Sequence, residues 1–218
     1  MSAVRIPVLG IVGGIGSGKS ALASALSRHF RCARLDADQI GHRVLHQPEI
    51  IRRLREEFGD GIIDPLGHVS RSELARRVFG PGLEQQKARK VLESIVHPPI
   101  RLQLIDQLDQ VQRSDQYELV ILDAALLFES GWSNDCDAVI FLDVPVEVRR
   151  ERVVSRGWSA ADLASREASQ MSLEEKQKRS DLILNNNRDI EIVAAEAAEW
   201  IRQRFSLPQP SESVTMTP

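Results

Sequence analysis

With 218 residues, of which 42% are hydrophobic and 27% charged, the chain has the length and balance of a globular protein with one core. Its net charge of −3 excludes a general basic surface for nucleic acid or anionic membrane, so any anion site has to be local. No apolar run reaches the ~20 residues of a membrane span, and the apolar N-terminal stretch passes into glycines rather than a cleavage site, so a cytoplasmic protein is expected.

The first element is a strand over residues 6–12, "IPVLGIV", continuously apolar as strands covered on both faces are. Pro7 cannot donate to a ladder and belongs at its start. The glycine-rich segment 13–20 follows, and then a helix whose Leu22, Leu26 and Phe30 recur every fourth residue. A weaker strand is expected over 33–38, "ARLDAD", ending in two carboxylates. Residues 49–116 hold no convincing strand and many helix formers, and read as a helical insert. In it His97 precedes Pro98 and Pro99, a pair suited to the first turn of a helix. Strands return at 119–123 ("LVILD"), 138–144 ("AVIFLDV") and 182–185 ("LILN"). Between the last two, 146–179 is charged, helical in period and weakly apolar. Ile190, Val193, Ala197, Trp200 and Ile201 form a helical stripe, and the tail 207–218 has no periodicity and is expected to be disordered. Strands alternating with helices imply an α/β protein with a parallel sheet. Cys32 and Cys136 lie in no paired motif and read as small buried hydrophobes.

Residues 13–20, Gly13, Gly14, Ile15, Gly16, Ser17, Gly18, Lys19 and Ser20, fit the phosphate-loop pattern G-x-x-x-x-G-K-[ST] between a strand and a helix. Glycines let successive N–H groups converge on phosphate oxygens without Cβ clashes, and the following helix adds its positive end. Lys19 is placed to reach the β- and γ-phosphates of ATP, and the Ser20 hydroxyl to bind Mg²⁺. The alternative is a glycine turn that binds nothing. A guanine-reading N-K-x-D is missing, because "NNNRD" lacks the lysine. "DPLG" at 64–67 follows no strand, and Asp123 stands alone at a strand end where a motor ATPase has an acidic pair. Small-molecule kinases remain.

Ligands of open α/β sheets sit at the carboxyl ends of strands. Asp36 or Asp38 could there accept a hydroxyl proton or steer the metal; the alternative is a capping aspartate. His97 is by itself more ordinary as a hydrogen-bonded structural residue. Arg149, Arg152 and Arg156 at i, i+3 and i+7 share a helix face, and their forks suit phosphate oxygens. The alternative for them is a solvated face paired to Glu147 and Glu151.

Taken together, "GGIGSGKS", "LDAD", "IVHPPI", "ALLFE" and "ASQMSLEEKQKRSDLILNN", in that order, resemble the dephospho-CoA kinase family over about residues 9–186. The resemblance implies a three-layer P-loop kinase fold with a parallel five-stranded sheet, a helical acceptor-binding insert and a helical lid. The nucleotide-binding core would be 1–48, 117–145 and 180–206, the CoA-side domain 49–116 and the lid 146–179. It implies ATP-dependent phosphorylation of the ribose 3′-hydroxyl of dephospho-CoA, the last step of coenzyme A synthesis, with Mg²⁺, in a monomer without nucleic acid or membrane. Asp38 would be the general base, Lys19 and Arg152 would act on the transferring phosphoryl group, and Arg149 or Arg156 would bind ATP. Asp36, Asp38, His97, Leu126, Leu127 and Glu129 would meet the acceptor. The sequence departs from the family at Ala125, where the family has proline, at Asn187, where it has glycine, and at Ala21, where it has Thr or Ser. The rivals are a kinase of another small hydroxyl compound and an ATP-binding switch without transfer.

Overall fold

The computed structural model describes residues 5–80, 82–155, 157, 159–168 and 170–208. Five parallel strands form one sheet in the order β2-β3-β1-β4-β5: β1 Val8–Gly13, β2 Cys32–Asp36, β3 Leu119–Asp123, β4 Ala138–Asp143 and β5 Leu182–Asn185. The apolar runs are continuous because side chains alternate between two covered faces. Leu9, Ile11, Leu119, Ile121, Ile140 and Leu142 pack on one face against α1 (Lys19–Leu26) and α9 (Ile190–Phe205). Val8, Val12, Val120, Leu122, Val139 and Phe141 face the other layer.

That second layer contains α2 (Ala37–Val44), α3 (Pro48–Phe58), α4 (Arg71–Val78) and the 30-residue α5 (Leu83–Gln112). Ile50, Leu54, Leu74, Ile95 and Ile100 belong to the same buried cluster as Val120 and Phe141. The helical stretch therefore shares the sheet's core. Gln112 near the end of α5 clasps the approach to β1, accepting the Ile6 N–H at 2.8 Å and donating to the Ile6 carbonyl at 2.7 Å. The charged stretch forms α6 (Val146–Val154), α7 (Ala160–Glu167) and α8 (Leu173–Lys178). No helix of the described residues is long and apolar enough to cross a membrane.

Three local expectations are corrected. The second strand ends at Asp36, which caps α2 by accepting the Gln39 N–H at 2.8 Å, so Asp38 stands in the first turn of a helix rather than at a strand end. Pro98 and Pro99 lie inside α5 rather than at its start; packing on both sides of them, by Ile95, Ile100 and Leu104, holds the helix together where the local rule would end it. Phe30 lies beyond α1 but still packs into the core below it. The thiols are half-buried, and desolvation pushes Cys32 up to about 11 and Cys136 up to about 12. Residues 209–218 of the tail lie outside the described residues.

Candidate active site

The loop from Gly13 to Ser20 joins β1, the central strand, to α1. Gly16 and Gly18 have φ of 81° and 93°, the left-handed region that a glycine enters without strain. Ser17 N–H closes a turn on the Gly14 carbonyl at 3.0 Å. Lys19 reaches back over the loop, its Nζ 3.4 Å from the Gly13 carbonyl. Burial pulls its ammonium below the ordinary lysine range; Asp123 and Asp38 oppose this, while Lys176 and Arg149 add to it. The Ser17 hydroxyl is fully buried without a hydrogen-bond partner among the described residues.

Other elements brace the loop from outside. Asn186, just past β5 and 3% exposed, donates to the Ser17 carbonyl at 2.6 Å. Arg152 of α6 donates to the Gly16 carbonyl at 3.3 Å and the Asn186 carbonyl at 3.0 Å. Arg149 is buried and spans the Ile15 and Val144 carbonyls, both at 3.3 Å, while also pairing with Glu167 of α7. Its guanidinium takes the room that a side chain at Gly14 would fill, 2.6 Å from where a Cβ would stand. The expected partners Glu147 and Glu151 are thus not the ones used by Arg149, and both arginines here hold the loop's carbonyls. Arg156 lies outside the described residues.

At the carboxyl end of β3, Asp123 faces Asp36 in the strand register. Its Oδ2 accepts from the Ser20 hydroxyl at 3.4 Å and pairs with Arg34 of the edge strand β2. Asp38 stands in the first turn of α2, two residues past the Asp36 cap. Desolvation by the surrounding protein raises its carboxyl above the ordinary range, Asp36 and Asp123 raise it further, and Lys19 and the Ala125 amide oppose the rise. A carboxylate poised toward protonation and lying in the field of the loop lysine is suited to take a proton.

Asp38 opens onto a cavity of ≈ 470 Å³. Its wall carries Arg71, Arg89, His97, Ala125, Leu126 and Trp132 among its side chains. The His97 ring stands 5.6 Å from the Trp132 ring, and burial lowers its basicity. Of the expected acceptor residues, Asp38, His97 and Leu126 therefore line one space. Leu127 does not: it is fully buried against the sheet, where Gly10 leaves room for it (an added Cβ would stand 2.6 Å from Leu127 Cδ2). Asp36 is engaged as the cap of α2. Glu129 is turned to Lys176 of α8, Oε1 to Nζ 3.0 Å. Sequence reasoning left out Asp123, Asn186 and Lys176. Asp123 had one signal, a lone carboxylate at a strand end; the other two had only their places in the closing motif.

The dephospho-CoA kinase family profile matches residues 7–191 of this chain. A dephospho-CoA kinase of Symbiobacterium thermophilum is 37% identical over 88% of this chain and 80% of its own. One of Corynebacterium diphtheriae is 36% identical over 91% of this chain and 97% of its own. A crystal structure of a Thermus thermophilus protein superposes with a TM-score of 0.76 at 32% identity, covering 92% of this chain and 98% of that one. A phosphate loop with its lysine in place, a raised carboxylate beside it and a profile spanning both agree on one conclusion: the chain belongs to the dephospho-CoA kinase family and is a kinase of that type.

Proposed function

We propose that the protein transfers the γ-phosphoryl group of ATP to the ribose 3′-hydroxyl of dephospho-CoA, with Asp38 as the base. The observation that carries this reading is the position of Asp38. Its carboxyl lies within the electrostatic reach of Lys19 on one side and lines the acceptor cavity on the other. The 3′-oxygen forms a bond to the γ-phosphorus as the bond from that phosphorus to the β,γ-bridging oxygen breaks. The hydroxyl proton passes to Asp38, and the leaving oxygen carries its charge away on ADP. Lys19 and the loop amides stabilise the charge on the transferring group, which is most of what a protein contributes to this chemistry. Arg152 and Arg149 belong in this reading to a lid, 146–179, that re-aims their guanidiniums from the loop carbonyls to the phosphates on closure.

The residues present fit Mg²⁺. Ser20 Oγ and Asp123 Oδ2 are oxygen donors 3.4 Å apart at the start of α1, and this ion takes few protein oxygens and keeps waters. Held by Ser20 and Asp123, it would supply positive charge against the charge that develops on the phosphates. On the acceptor side, Arg71, Arg89 and Arg166 suit the pyrophosphate of dephospho-CoA, and Leu74, Phe79 and Leu92 suit its pantetheine arm. The reading places the enzyme in the cytoplasm, where ATP is supplied. It treats the enzyme as a monomer and gives no role to nucleic acid or membrane.

The test is a coupled assay over dephospho-CoA, AMP, adenosine and gluconate. Dephospho-CoA should lead by about 10²-fold or more in kcat/KM, with kcat itself lower for the truncated acceptors, since remote binding energy orients the reacting end. Comparable kcat/KM for AMP overturns the acceptor and favours a nucleotide kinase.

A further inference from the structure

Two stretches that carry the family resemblance, 125–129 and 170–176, have side chains with no part in the transfer above, and they meet. Lys176 of α8 has 1% of its side chain exposed. Its Nζ lies 3.0 Å from Glu129 Oε1 and donates to Gln170 Oε1 at 3.3 Å. The same Glu129 oxygen accepts the Met171 N–H at 2.8 Å. Ser172 caps α8, accepting the Glu175 N–H at 3.1 Å. The connection from α7 to α8 is thus tied at Gln170 to the buried ammonium and at Met171 to the Glu129 carboxylate, and Ser172 then caps α8. The other Glu129 oxygen is buried without a hydrogen-bond partner among the described residues, so Lys176 and the Met171 amide carry its compensation.

Both ends of this knot reach the reaction centre. Gln170 lines the same cavity as Asp38. The loop that carries Glu129 also carries Ala125 and Leu126, which line the same cavity as Asp38. Arg179, just past α8, lies over the Phe128 ring, 5.3 Å from its centre, fastening the same loop again. Lys176 is also among the charges that act on Lys19.

A buried lysine–glutamate pair is a poor device for stability alone, since apolar side chains of similar volume serve as well or better. What it offers is direction: an ammonium fixes several acceptors at once. We infer that Lys176 is a positioning residue for the transfer, setting Gln170 at the acceptor wall and the return of 146–179 onto the β3 loop in register with Asp38. The inference rests on the proposed acceptor, and its test keeps the two apart.

Lys176→Met alone strands a buried carboxylate and should lower the melting temperature sharply. The Lys176→Met, Glu129→Leu double variant removes both charges and should melt within a few degrees of wild type. On a purely structural role, that variant regains its kinetics. On the positioning role, its kcat/KM for dephospho-CoA stays about ten- to hundredfold down, with ATP affinity by calorimetry within about threefold of wild type. The Met171 amide should also exchange faster in the double variant, with or without substrate. Recovery of kcat/KM to within about threefold, or unchanged exchange at Met171, overturns the inference. If the double variant does not fold, Gln170→Ala puts the same question from the cavity side. It should raise KM for dephospho-CoA about tenfold at an unchanged melting temperature, and an unchanged KM overturns the inference. A wild type that phosphorylates no dephospho-CoA would refute the acceptor, and the kcat/KM of the double variant relative to wild type, on whichever panel acceptor is phosphorylated, would still decide the role of Lys176.

Discussion

The phosphate loop and the proposed acceptor cavity lie side by side and are built in opposite ways. The loop is one unbroken stretch whose working surface is backbone. At Gly13, Gly14, Gly16 and Gly18 an added Cβ would stand 2.5–2.7 Å from a neighbour. Even its braces are side chains that bind its carbonyls, namely Arg149, Arg152 and Asn186. The cavity is assembled from side chains on α2, α4, α5, the loop after β3 and the end of α7, and no short stretch of chain contains it. A backbone site is all-or-none, because every amide is needed in one geometry. A side-chain site is graded, because each contact can be weakened separately.

Substitutions on the two sides should divide accordingly. The largest effect is expected on the loop side. Lys19→Ala should cut kcat/KM by about 10³–10⁵, the range set by removing a cation from a transferring phosphoryl group, with the circular dichroism unchanged. Activity within about tenfold of wild type would mean that the loop does not hold the reacting phosphates.

Asp38→Asn, at the border between the regions, should lower kcat by about 10²–10⁴. It should also change the pH profile. As the proposed base, Asp38 would work deprotonated, and its carboxyl is raised, so wild-type kcat/KM should fall as pH drops through a value above the ordinary carboxylate range. In the proposed role Lys19 would work protonated, and its ammonium is lowered, so a second fall is expected below the ordinary lysine range as pH rises. The asparagine variant should lose the acidic limb. Stability should move the other way. An aspartate raised in the folded state binds its proton more tightly there, so its contribution to stability is lost as pH rises through the window between its unfolded and folded values. Asp38→Asn should therefore melt no lower than wild type at neutral pH. A clear loss of melting temperature would show that Asp38 is structural.

Asn186→Ala tests whether the braces matter to the loop. It frees the Ser17 carbonyl, and KM for ATP should rise about tenfold with kcat changed less, as expected for loosened positioning. An unchanged KM would make the loop self-supporting and sharpen the contrast with the cavity. The smallest effect is expected at Asp36, whose carboxylate caps α2. Asparagine caps nearly as well as aspartate, so Asp36→Asn should leave kcat within about threefold of wild type. A larger loss at Asp36 than at Asp38 would reverse their roles.

How legible each part was follows from the same contrast. β3 and β5 were read at their observed bounds and β1 and β4 within two residues, because burial on both faces leaves an uninterrupted apolar run. The loop was legible because a backbone site must be written in glycines next to one another. Asp123 and Asn186 were not, because a single polar residue at a strand end acquires meaning only from the strand beside it, Asp36 opposite Asp123 and β4 opposite β5. Leu127 and Glu129 were assigned to the acceptor with their motif as a unit, but successive side chains point in different directions. Leu126 faces the cavity, Leu127 the core and Glu129 a lysine 47 residues further on. Pro98 and Pro99 followed a local rule that long-range packing of α5 overrode.

The sequence by itself determined the α/β class, the places of the strands, the phosphate loop and, through the order of its motifs, the family, because each of these is encoded in neighbouring residues by period or by glycine spacing. Only the tertiary structure decided which carboxylates converge on the loop, that Arg149 and Arg152 grip its carbonyls, and that Glu129 and Lys176 share a buried bond. These are contacts between residues far apart in the chain. Their geometry is set by strand register and helix packing, which no local pattern contains.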